Sequence, residues 1–363
     1  MKVLHLSSER TWRGGEQQIA YLIEGSIKAG LEVHIAAREG SAFVEYCQTN
    51  KFNLLEVGFK NEFDLGTAFA IKKYCKQHNI DIIHMHSSHS HAIGVWSKIL
   101  GNPAKLVLSR RVDFPVKDNF ASRFKFNYPK IAAIICISNA IKEMLEPDIK
   151  RKEILHTVLS GIDTTRFETS KNNQLLHAHF ELDSSIKLIG NISAIADHKD
   201  YYAFIDTAEL VLQQRNDVRF VIIGDGPMTE EITNYIASKN LSENILLTGF
   251  RNDIPDLIQE LDTFLMTSKT EGLGTTVLDA FANNVPVVAT KAGGIPEAVI
   301  HRQTGLLADI KDSQQLAKLV QEILDKPELK TLLTEQAHQR LLDLFTKESM
   351  VKGNLNVYKT ILA

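Results

Sequence analysis

Two doubly wound α/β domains are the fold class this sequence predicts. Short β-branched runs alternate with longer segments of helical period, a polar break interrupts that alternation midway, and glycine-rich turns follow several of the runs. Strands flanked by helices in this way imply parallel sheets covered on both faces. A chain of 363 residues is long for one domain and comfortable for two.

The first half opens on "KVLHLSS", followed by a helical stretch from about Glu16 to Ala29 and then "EVHIAAR". "NLLEVG", "DIIHMHSS", "KLVLSR" and "AAIICIS" continue the alternation to about residue 138. Residues 160–184 are polar and turn-prone, with no sustained period. The alternation restarts with "SIKLIGNIS", "VRFVIIGDG", "NILLTGF", "FLMTS", "VPVVAT" and "TGLLADI". The expected domains are therefore 1–170 and 171–345, and the last helical stretch, 346–363, is expected to pack back on the first.

Composition narrows the function classes. Apolar residues make up 44% and charged residues 23%, enough to build a sizeable core in a soluble chain. The formal net charge of −3 gives no global pull towards nucleic acid, so an anion site must be local. Cys47, Cys75 and Cys136 lie far apart in apolar surroundings, which reads as core thiols in a reducing compartment. The N-terminus lacks the apolar core of a signal peptide, and no run reaches the ~20 apolar residues of a membrane span. A cytoplasmic protein is expected, with peripheral contact at the inner face of a membrane left open.

In open α/β sheets ligands bind at the carboxyl ends of strands, near the switch point of strand order. The stretch "SKTEGLGTTVLDAFANNVPVVAT", 268–290, supplies such a place. With "LDTFLMTS" as strand and "TTVLDAFANN" as helix, "EGLG" is the turn between them. Glycine there lets a ligand approach the backbone, and the free N–H groups at Thr275 and Thr276 suit a phosphate. Glu271 then lies at the mouth, placed to accept hydrogen bonds from sugar hydroxyls. Asp279, about one turn into the helix, is placed for the diol of a ribose.

"EGLGTTVLDAFANNVPVVATKAGGIPE" resembles the E-x7-E segment of retaining GT-B glycosyltransferases of glycosyltransferase family 4. "RGGEQQ", "DIIHMHS", "SGIDTTRF", "HKD", "VIIGDGP" and "LTGFRNDIP" match the family in order along nearly the whole chain. The resemblance implies two Rossmann-like domains facing across a cleft, with acceptor held mainly by the first and nucleotide-sugar donor mainly by the second. It implies transfer of a sugar, from a UDP-sugar by expectation, to a hydroxyl of a glycan or lipid-linked acceptor. Retention without a metal ion is implied, in cell-surface polysaccharide or lipopolysaccharide synthesis. A non-catalytic nucleotide-sugar binder and a nucleotide-sugar epimerase are the alternatives.

Carried onto this chain, the resemblance names Glu271, His86 and Lys199 as catalytic. Donor contacts fall on Gly15, Asn191, Lys199, Gly224, Gly249, Phe250, Arg251, Glu271, Gly272, Leu273, Gly274, Thr275, Thr276 and Asp279. Acceptor contacts fall on Gly14, Gln17, His86, Arg111 and Asp113. Two departures stand out: the second acid of the motif is Asp279 rather than Glu, and the family's usual Arg falls at Ala194.

"DIIHMHSSHSHAIG" carries His84, His86, His89 and His91, and His84 with His86 share a face if the strand continues. Such a pair raises a metal reading, which no cysteine cluster supports. The chain has no D-x-D pair to bridge a diphosphate-bound metal, so no metal or other cofactor is expected. Leaving-group charge would instead be met by Lys199, the helix start and backbone N–H groups. "LSRRVDFPVKDNFASRFKFNYPK" interleaves cations with aromatics, which suits either an anionic membrane surface contacted through 114–130 or a solvated helix with core aromatics.

Overall fold

The computed structural model describes residues 1–168 and 173–363. One sheet holds β1 (Lys2–Ser7), β2 (Glu32–Arg38), β3 (Asn53–Val57), β4 (Ile82–Met85), β5 (Lys105–Arg110), β6 (Ile131–Cys136) and β7 (Leu155–Thr157). Their spatial order is 3-2-1-4-5-6-7, and every pairing is parallel. A second parallel sheet holds β8 (Lys187–Ile192), β9 (Val218–Ile223), β10 (Ile245–Gly249), β11 (Thr263–Met266), β12 (Val287–Thr290) and β13 (Leu306–Ala308). Its order is 10-9-8-11-12-13. Both sheets are the doubly wound type expected, because Val/Ile/Leu runs such as β6 and β9 must be covered on both faces. The switch points lie between β1 and β4 in the first sheet and between β8 and β11 in the second.

The chain divides into two compact units, Met1–Gly161 with Lys347–Ala363, and Ile162–Thr346. The division precedes the boundary expected at 170/171, which itself lies outside the described residues. Backbone pairing explains the shift: Ile162 N donates to the Phe345 carbonyl at 2.8 Å, and the helix Thr165–Glu168 packs against the helix Ile254–Ile258. In the first unit the helix Lys347–Leu362 lies along the helix Gly14–Lys28. Gly25 permits that approach, since a Cβ there would come within 2.5 Å of Val351.

The helix after β1 begins at Gly14, not near Glu16 as its apolar period suggests. Arg13 takes the extended cap conformation, so both glycines occupy the first turn rather than the loop before it. The three cysteines are free and buried, as their apolar surroundings predict. Among the described residues, no helix is long and apolar enough to cross a membrane.

Candidate active site

In the second unit the candidate site gathers at the carboxyl ends of β8 and β11. Thr267, just past β11, donates to the carbonyls of Lys199 and Asp200 at 3.1 and 3.0 Å. These bonds tie the short turn Asp197–Lys199 to the strand end. They bring Lys199 Nζ onto Glu271 Oε1 in a direct ion pair, and Ser268 Oγ donates to the same oxygen at 2.9 Å. Sequence separation of 72 residues between the two charges is bridged by strand order alone.

The Glu271 backbone is held as firmly as its side chain. Gly294 N donates to the Glu271 carbonyl at 2.9 Å, and a Cβ on Gly293 would fall 2.0 Å from that same oxygen. Gly293 also has a positive φ of 50°. Gly274 caps the helix Thr275–Ala282 in the left-handed region, with no side-chain cap on the first N–H groups. Those donors, half-exposed at Thr275 and Thr276, lie just past Glu271 in the chain and leave the unpaired N–H groups and partial positive charge of a helix start beside it.

Asp279 sits half-buried in this helix, and burial pushes its carboxyl up to about 7 from an ordinary 3.8, partly offset by Arg166. Its folded state thus holds a proton more tightly than its unfolded state. That contribution is fully present below about pH 4 and is lost as pH rises through about 7. Asp279→Asn is therefore expected to gain melting temperature relative to the parent between pH 5 and 8. Thermal unfolding of both proteins across that range checks it, and a constant difference would contradict it.

The first unit assembles a second polar cluster at the ends of β1, β4 and β5. Parallel register sets His5 opposite His84, and His86 follows one residue past β4. Arg111, one residue past β5, reaches His86 Nδ1 with a guanidinium nitrogen at 3.1 Å. A guanidinium only donates, so His86 Nδ1 accepts and its Nε2–H donates to His5 Nδ1 at 2.9 Å. His5 is pushed down to about 3, and His86 well below its ordinary range, chiefly by burial and then by neighbouring charge from Arg111 and, for His86, His84. His84 bonds Tyr358 OH at 2.5 Å and Ser109 Oγ at 2.8 Å.

One ring nitrogen from each of His5, His84 and His86 lies within 4.8 Å of the others, a spacing that suits a metal ion. The donor set does not suit one. The His84 nitrogens bond hydroxyls, those of His86 bond Arg111 and His5, and the buried guanidinium would repel a dication. Arg111, His86 and His5 form one hydrogen-bonded chain, and His84 packs beside it on the Tyr358 and Ser109 hydroxyls.

Family models match both halves of the chain. Residues 173–340 match a model described as "Glycosyl transferases group 1", and residues 12–166 match one described as "Glycosyltransferase Family 4". The chain belongs to glycosyltransferase family 4. This glycosyltransferase is 24% identical over 306 residues to the N-acetyl-alpha-D-glucosaminyl L-malate synthase of Bacillus anthracis, covering 83% of this chain and 80% of that protein. It is 22% identical over 294 residues to an Escherichia coli UDP-Gal:alpha-D-GlcNAc-diphosphoundecaprenol alpha-1,3-galactosyltransferase, covering 78% and 76%. Its fold matches Anabaena HepE, solved with UDP, at a TM-score of 0.87 and 19% identity, covering 99% of this chain and all of that one. The expected GT-B fold is therefore the fold of this chain.

The structure of the glycosyltransferase sorts the expected site residues. Lys199, Glu271, Gly272, Gly274, Thr275 and Thr276 gather around one strand-to-helix turn, with Leu273 buried beneath it. Gly224 closes its turn against β8, where a Cβ would meet the Ser193 carbonyl at 2.1 Å. Gly249 ends β10, Phe250 stands exposed beyond it, and Arg251 is committed to Asp253. Ala194 is exposed just past β8, so no guanidinium occupies that place.

Asn191 departs from the donor-contact expectation. Its amide donates to the Leu265 carbonyl at 2.7 Å and its oxygen accepts from Ser193 and Tyr201, so the side chain braces β8 against β11. In the first unit, His86 and Arg111 come together and Gly15 lies beside Arg111, while among the described residues Gly14, Gln17 and Asp113 have no partner that places them in the cluster. Sequence reasoning missed His5 and Tyr358. The first had a legible signal, a histidine in "KVLHLS" matching the one in "DIIHMHS"; Tyr358, 274 residues from His84, had none.

Proposed function

We propose that this glycosyltransferase moves a sugar from a UDP-sugar to a hydroxyl of a glycan or lipid-linked acceptor, with retention and without a divalent cation. The Lys199–Glu271–Ser268 arrangement beside an uncapped helix start carries this reading. The UDP bound to Anabaena HepE and the lipid-linked acceptor of the E. coli relative favour the donor and acceptor classes named.

In this scheme the second unit holds the donor. Lys199 and the N–H groups of Thr275 and Thr276 stabilise the diphosphate as its bond to the sugar breaks, where charge develops. Glu271 accepts hydrogen bonds from the sugar hydroxyls, and Asp279 holds the ribose diol. No side chain need attack the anomeric carbon: in a front-face displacement the departing phosphate takes the acceptor proton. The first unit holds the acceptor, with Arg111 oriented beside it by the His86–His5 hydrogen bonds, since both ring nitrogens of His86 are already engaged. Phe114, Phe120 and Phe124 stand exposed beside Lys117 and Arg123, a surface suited to the anionic inner face of a membrane.

Calorimetry with UDP and GDP, with and without EDTA, tests the donor reading on the parent and Glu271→Ala. UDP binding that EDTA leaves unchanged is expected in both proteins, since Glu271 serves the sugar rather than the nucleotide. Selective GDP binding would overturn the donor, and dependence on a divalent cation would overturn the metal-free scheme. The exposed Ala194 favours one second reading, a nucleotide-sugar binder, which would bind UDP and release no sugar to any acceptor or to water.

A further inference from the structure

The end of β11 carries a hydroxyl at a place where packing alone asks for none. Thr267 is wholly buried and follows the equally buried run Phe264, Leu265 and Met266, so a valine would fill the same space. Its hydroxyl instead spans two backbone carbonyls, those of Lys199 and Asp200, at 3.1 and 3.0 Å. The first of these ends the turn Asp197–Lys199, and Asp200 beyond it takes a left-handed φ of 50°. A residue with a side chain persists in that region only where its surroundings hold it. Thr267 therefore pins the chain where the backbone is least favourable.

The pinned turn carries Lys199. A lysine head rides on a flexible four-carbon stem, so its position follows the backbone below it. Its partner Glu271 is fixed by other means: Ser268 Oγ donates to the carboxylate at 2.9 Å, and Thr290 Oγ1 donates to the Ser268 carbonyl at 2.6 Å. What remains to be set is the Lys199 backbone. Besides the Thr267 hydroxyl, the Lys269 N–H reaches this turn, donating to the His198 carbonyl at 2.8 Å. The Lys269 ammonium also pairs with Asp197 at 2.8 Å, but Asp197 is 78% exposed, and pairs of that kind contribute little. Ala194 offers no charge at the family's usual arginine position, so the effect of Lys199 on a diphosphate depends on where it stands.

We infer that Thr267 is a positioning residue for the transfer reaction: its hydroxyl holds the Lys199 backbone so that the ammonium stands where diphosphate charge develops. The inference rests on the role proposed for Lys199 and adds to it a group too deeply buried to touch substrate.

Thr267→Val removes the hydroxyl and keeps the shape, and Thr267→Ser keeps the hydroxyl. UDP, which carries the charge of the leaving group, is titrated by calorimetry. In the ligand-free protein, the rate at which N-hydroxysuccinimidyl acetate acetylates Lys199 is read by peptide mass spectrometry. Thr267→Val is expected to weaken UDP binding roughly tenfold, with Thr267→Ser and Lys269→Ala within about twofold of the parent. In a Lys199→Ala background, Thr267→Val should weaken UDP by no more than about twofold further, because the group it positions is gone. A merely structural loss would weaken UDP equally in both backgrounds, and that result would overturn the inference. Lys199 should be acetylated several-fold faster in Thr267→Val than in the parent and Thr267→Ser; equal rates would overturn it as well. A crystal of the parent with UDP needs no variant to fold. Thr267 Oγ1 should stay within about 3.2 Å of both carbonyls while Lys199 reaches a phosphate oxygen, and a turn that leaves Thr267 would contradict the inference. A parent that binds no UDP would overturn the donor reading instead, and the acetylation rates would still decide whether Thr267 positions Lys199.

Discussion

Lys199→Ala is expected to lower sugar release from the UDP-sugar by about a hundred- to a thousandfold, the scale on which a single preorganised electrostatic contact to developing charge acts. Lys199 is asked to do more here than where an arginine stands five residues earlier, because Ala194 offers the diphosphate no charge. The substitution also strips Glu271 of its cationic partner, leaving the carboxylate with Ser268 alone. Both effects fall on the step in which the phosphate departs, so the loss should appear mainly in kcat. Lys199→Arg, which keeps the charge with altered geometry, should recover part of it. A coupled assay of UDP release reads the change, and a drop of less than tenfold in Lys199→Ala would exclude this lysine from leaving-group stabilisation.

Gly293→Ala is expected to cause the largest loss of stability of any single methyl added to the second unit's site. The new Cβ would meet a backbone carbonyl, that of Glu271, at 2.0 Å, far inside contact distance. A flexible side-chain tip could swing away, but this carbonyl already accepts from Gly294 N and anchors the loop that aims Glu271. The loop must shift, at a cost of roughly 3 kcal/mol from overpacking and strain. For a unit of this size that corresponds to about 6–12 °C in melting temperature. Sugar transfer should fall with it, because the Glu271 carboxylate moves with its backbone. Gly249→Ala is the control: its φ of 69° is equally left-handed, but nothing lies within 4 Å of the added methyl. It should cost only about 1 kcal/mol. Equal melting temperatures for the two variants would contradict the contact argument.

The second unit's half of the candidate site was legible because its parts are close in sequence. Glu271, the two glycines, the threonines and Asp279 occupy one strand–turn–helix, and the local pattern of apolar period broken by glycine places them without further information. Asn191 departs for the opposite reason. The resemblance implies a donor contact there, while its actual partner, the Leu265 carbonyl, belongs to a strand 74 residues away.

The alternation of β-branched runs with helical period therefore determined the class of fold, the parallel sheets and the turns where ligands bind. Those are consequences of local periodicity and of the need to cover both faces of a parallel sheet. Tertiary structure alone decided which charges meet. Strand order at each switch point set Lys199 on Glu271, His5 beside His84 and His86, and Arg111 over the helix that carries Glu16. Return of the last helix to the first unit put Tyr358 on His84. Periodicity reports which face of an element is buried, but a pairing across tens or hundreds of residues depends on the order in which strands assemble, and that order leaves no local trace.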